Sequence, residues 1–164
     1  MRLRLLTPLL LLAASAASAQ APTGSVVVEP HGGRTQRASF PASAFTVEQR
    51  DVEEARCRSC RGRHTSYSVR VELPSGPIAR VELFADVVGG ATRFSTDSGP
   101  YPATAWVRVW PRGATDPTEV SGRIELEWGR GGTASHRVRF RASAPMAPVR
   151  AITFEVPRAA PATP

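Results

Sequence analysis

Residues 66–73 read SYSVRVEL, with Tyr67, Val69, Val71 and Leu73 alternating against Ser66, Ser68, Arg70 and Glu72. A period of two puts every apolar side chain on one face of an extended strand; on a helix the same residues would scatter around the axis. The segment therefore reads as a strand with one buried side. The pattern recurs further along the chain. Ile124, Leu126 and Trp128 alternate with Glu125 and Glu127, Val138 and Phe140 with Arg137, Arg139 and Arg141, and Ile152, Phe154 and Val156 with Ala151, Thr153 and Glu155.

Residues 78–88 are apolar at both parities apart from Arg80, Glu82 and Asp86, and residues 103–110 read similarly, which places these two strands centrally. Residues 26–29 and 91–95 are shorter strand candidates. Between them stand turn residues: Pro74-Ser75-Gly76-Pro77, Gly89-Gly90, Ser98-Gly99-Pro100, Pro111-Arg112-Gly113 and the glycines of 129–132. The expected fold is all-β, a single antiparallel β-sandwich of about seven to nine strands over residues 20–156. One segment departs from the pattern. In 43–55, Thr46 and Gln49 fit a capping box and Val52 with Ala55 a thin apolar stripe, so a short helix near 46–56 is expected, although Phe45, Val47 and Gln49 also fit a strand.

The two ends differ from the middle. Residues 1–19 have the three parts of a secretory signal peptide: basic Arg2 and Arg4, an apolar run over 5–14 broken only by Thr7 and Pro8, and small residues ending Ala17-Ser18-Ala19. Cleavage is expected before Gln20, leaving 145 of the 164 residues, one ordinary domain. The expected location is extracytoplasmic, in a periplasm or secreted, with no membrane span, because no segment reaches the roughly 18 apolar residues a spanning helix needs. Residues 157–164 have three prolines and nothing large to bury, and read as a disordered Pro/Ala tail.

All 21 basic residues are arginine, 19 of them after the leader, against 14 acids, which leaves a mature net charge of +5. Each arginine is a planar, permanently charged fork suited to carboxylate, phosphate and sulfate. Partners are otherwise unspecified; an anionic envelope or extracellular polymer fits this charge, whereas nucleic acid does not fit an exported chain of modest net charge whose arginine cluster at 56–63 has no aromatics interleaved. The densest cluster is Arg56-Cys57-Arg58-Ser59-Cys60-Arg61-Gly62-Arg63-His64. In an oxidising compartment two cysteines with no other partner pair with each other, so a Cys57–Cys60 disulfide is expected. Arg56, Arg58, Arg61 and Arg63 are the candidate anion-binding residues.

Two alternatives use the same loop. Flanking cations stabilise thiolate and would serve a redox site. Cys57, Cys60, His64 and either His31 or His136 would suit zinc, although only the CxxC half has ligand spacing. No metal or other cofactor is assigned. Trp106, Arg108 and Trp110 share one strand face, with Ala105, Val107 and Val109 on the other. Exposed, the two indoles would form a ligand platform for sugar rings with the Arg fork reaching hydroxyls; the favoured expectation is that both indoles are core. Asp97-Ser98-Gly99-Pro100 is turn chemistry, Ser135 and His136 point to opposite faces, and no GxSxG, HExxH or phosphate loop occurs. The sequence thus reads as an exported, non-catalytic binding or structural module, with an envelope redox or zinc protein as the alternative.

Overall fold

The structure, a computed structural model, describes residues 23–53, 61–97, 103–128 and 135–157. Among these are eleven strands: β1 Thr23–Pro30, β2 Gln36–Pro41, β3 Phe45–Val52, β4 Gly62–Glu72, β5 Ile78–Val88, β6 Arg93–Ser95, β7 Ala103–Pro111, β8 Thr118–Glu119, β9 Gly122–Trp128, β10 Ser135–Ala142 and β11 Val149–Pro157. They form two antiparallel sheets. One has six strands in the order β2-β1-β11-β10-β9-β6, the other five in the order β3-β4-β5-β7-β8. Nine strands have six residues or more; β6 and β8 have three and two.

Alternation decides what is buried. Val69 and Val71 of β4, Val81 and Leu83 of β5, and Val107 and Val109 of β7 are buried on one side of the five-stranded sheet. From the six-stranded sheet Val26, Ile124, Phe140, Ile152 and Phe154 are fully buried in the same hydrophobic core. Burying each of these larger side chains contributes about 1.5–3 kcal/mol relative to exposure. Contacts between the two sheets include the rings of Phe45 on β3 and His136 on β10, stacked with centroids 6.4 Å apart. Gln36 of β2 adds a polar tie. Its Nε2 donates to the Ile78 carbonyl at 2.9 Å and to the Ser75 carbonyl, while its Oε1 accepts from the Ile78 amide at 3.0 Å.

The helix expected near residues 46–56 is not formed within the described residues of that stretch. Residues 45–52 are β3, in register with β4 from Phe45 opposite Val69 to Val52 opposite Gly62. A capping box satisfies two amide groups, whereas the ladder provides partners along eight residues, so the strand reading of Phe45, Val47 and Gln49 prevails. Phe45 anchors it, 7 % exposed and packed on Tyr67, and Ser43 falls in a 3₁₀ turn, Ala42–Ala44. Residues 54–56 lie outside the described residues, as do residues 1–22 and 158–164, where the signal peptide and most of the tail were expected. No helix among the described residues is long and apolar enough to cross a membrane.

Candidate functional site

The core takes one parity of each strand of the five-stranded sheet and leaves the other for its outer face. On β5 those outward residues are Arg80, Glu82, Phe84 and Asp86; on β7 they are Trp110, Arg108, Trp106 and Thr104, each directly opposite its β5 partner in that order. Trp106, Arg108 and Trp110 therefore share the outer face, half-buried, while Ala105, Val107 and Val109 fill the core. This corrects the expectation that both indoles are core. The adjoining β5 carries enough large residues, Val81, Leu83 and Val87, to complete the inner layer without them.

On that outer face the rings are held by neighbours. Trp106 stacks on Phe84 with centroids 5.7 Å apart and planes 21° from parallel, and the Arg108 guanidinium lies 4.4 Å from the Trp106 ring centre. The Arg80 guanidinium sits 4.9 Å over Trp110. Each cation also has a carboxylate: Arg108 with Glu119 at 3.6 Å, and Arg80 with Glu72 at 2.5 Å. Arg70 and Glu82 continue the row at 3.2 Å. The outcome is a strip of three aromatic rings flanked by guanidinium forks whose charges are balanced locally. Such a surface offers flat faces and hydrogen-bond donors to a ligand with rings and hydroxyls.

Beside the strip is a polar cluster. Asp86 Oδ2 accepts from His64 Nδ1 at 3.1 Å and from Arg50 Nη2 at 2.9 Å, and Oδ1 accepts from Ser66 Oγ at 2.9 Å. Because an ionised carboxylate only accepts, this bond places the proton on His64 Nδ1. Burial by itself raises the Asp86 carboxyl, but the hydrogen bonds from His64, Ser66 and Arg50 outweigh it and hold the group below the ordinary carboxylate value. Ser66 donates to the acid, so its hydroxyl, like the His64 and Arg50 donors, serves to stabilise the Asp86 anion.

The arginine–cysteine loop is only partly visible. Cys57, Cys60, Arg56 and Arg58 lie outside the described residues. Arg63 is exposed and lies 3.4 Å from Asp51, and Arg61 is exposed just before β4. Of the histidines weighed as zinc ligands, His64 is engaged by Asp86, His31 follows β1, and His136 packs on Phe45 from β10. No three His, Cys, Asp or Glu side chains among the described residues are grouped to hold a metal. Sequence reasoning missed Phe84, Arg80 and the Asp86 cluster. Their signal was the polar and aromatic parity of 78–88, which is visible only once the inner face is assigned.

No family model matches the chain, and no significant match was found to a curated protein or a solved structure.

Proposed function

We propose that the protein is an exported, non-catalytic β-sandwich module that binds a polysaccharide of the envelope or extracellular medium on the outer face of its five-stranded sheet. The observation carrying this reading is the outward placement of Trp106 and Trp110, with Phe84 beside them and Arg80 and Arg108 laid against the indoles. Rings kept half in solvent beside balanced guanidinium forks suit the apolar faces and hydroxyl edges of sugar rings better than they suit a purely structural layer. The composition of residues 1–19 supports export, and the one hydroxyl of the polar cluster among the described residues, Ser66, donates to Asp86, which supports a binding reading over a nucleophilic one.

The test is affinity electrophoresis of the wild type and of the variant Trp106→Ala with Trp110→Ala in gels carrying neutral or acidic polysaccharides. Each aromatic contact is worth about 0.5–1.5 kcal/mol, so losing two weakens binding by roughly fivefold to 150-fold. Retention of the wild type that the double variant loses supports the reading. Equal retention of both proteins, or none of the wild type on any polymer, contradicts it.

A further inference from the structure

The six-stranded sheet carries a separate concentration of cations. On its outer face Arg137 is paired with Glu155 and Glu127, Arg139 with Glu127 at 3.0 Å, and Arg93 with Glu125 at 3.5 Å. Arg123 and Arg141 differ. They stand directly opposite each other across β9 and β10, both exposed, and neither makes an ion pair among the described residues. Like charges in direct register destabilise a sheet unless something lies between them.

Arg141 also lines a groove of about 440 Å³ together with His31, Ser143 and Arg150. Arg150 makes no ion pair among the described residues, and the Ser143 hydroxyl makes no hydrogen bond there. Among the described residues Glu29 is the single carboxylate on the groove wall, and it lies within ion-pair distance of neither arginine. We propose that this groove is an oxyanion site, binding a phosphate or sulfate group through the forks of Arg141 and Arg150, with Ser143 and His31 as further donors. A tetrahedral oxyanion accepts two N–H bonds from one fork, and its charge relieves the repulsion between Arg141 and Arg123. The site is on the opposite sheet from the aromatic strip, so the two can succeed or fail independently.

Amide chemical shifts of the purified protein, titrated at low, constant ionic strength with millimolar inorganic phosphate and separately with glucose 6-phosphate, test it. The expected result is saturable shifts at His31, Arg141, Ser143 and Arg150. The variant Arg141→Gln with Arg150→Gln weakens binding at least tenfold, and Arg58→Gln with Arg61→Gln leaves it unchanged. Arg150→Gln alone serves if the double variant fails to fold. Equal binding of the two probes assigns recognition to the oxyanion itself, and tighter binding of glucose 6-phosphate assigns a phosphate ester. Absence of saturable shifts in the groove, an unchanged affinity in the Arg141/Arg150 variants, or loss that follows Arg58 and Arg61 instead would overturn the proposal.

Discussion

Asp86 ties three strands together through single atoms: its own β5, Ser66 and His64 of β4, and Arg50 of β3. Because its folded pKa is depressed, the stability it contributes is present above the unfolded value near pH 4 and is lost as pH falls through the lower folded value. Asp86→Asn should cost about 1–3 kcal/mol at neutral pH, since donors to the anion lose their acceptor, and should flatten the acid limb of the stability profile. Urea unfolding of both proteins between pH 6 and pH 2 checks this; parallel acid limbs would contradict it. At this scale the sequence was partly legible. Alternation placed Tyr67, Val69, Val71 and Val138 inside, but Trp106 and Trp110 were assigned inward because large apolar residues at one parity outweigh small ones at the other. Ala105, Val107 and Val109 are the true inner set, and only the register with β5 reveals that.

Alternation is also what made elements readable. The long strands β4, β9, β10 and β11 occupy stretches anticipated from their period, and β5 and β7 stretches anticipated as apolar at both parities; β2 was not anticipated and β3 was the second choice to a helix, each for an identifiable reason. In β2 a polar Gln36 sits at a core position, which breaks the apolar alternation there; β3 is an edge strand whose outer residues need no apolar pattern. Gln36 belongs inside because the turn between β4 and β5 supplies its partners, and that turn is shaped to receive it. Gly76 there has φ +92° and no room for a Cβ against the Gln36 side chain, while Arg112, just past β7, donates to the carbonyls of Gly76 and Leu73 at 2.7 Å each. Gln36→Ala leaves the buried Ile78 amide without its acceptor and should cost about 1–3 kcal/mol. Gly76→Ala should also destabilise, through backbone strain and displacement of the same amide. Thermal or urea unfolding measures both; a neutral Gln36→Ala would show that the tie between sheets is not structural.

For the whole molecule, the proposed export and the expected pairing of Cys57 with Cys60 make one joint prediction about covalent state. The processed chain should begin at Gln20 and carry the Cys57–Cys60 bridge, so its intact mass should match that chain less two hydrogens. The small ring removes little chain entropy, so Cys57→Ser with Cys60→Ser should cost about 2 kcal/mol or less and leave the sheets folded. A chain still starting at Met1 outside the cytoplasm, or two free thiols in freshly exported protein, would contradict this, and stoichiometric zinc would turn the loop into a metal site. Function was the least legible level: composition implied export and charge, but the aromatic strip exists only where β5 and β7 meet. Hydroxyl-radical footprinting of the native protein with and without purified envelope polysaccharide addresses that strip most directly. Polymer should protect Trp106 and Trp110 from oxidation in a concentration-dependent way; indoles that oxidise at the same rate with saturating polymer present would rule out the strip as the binding face.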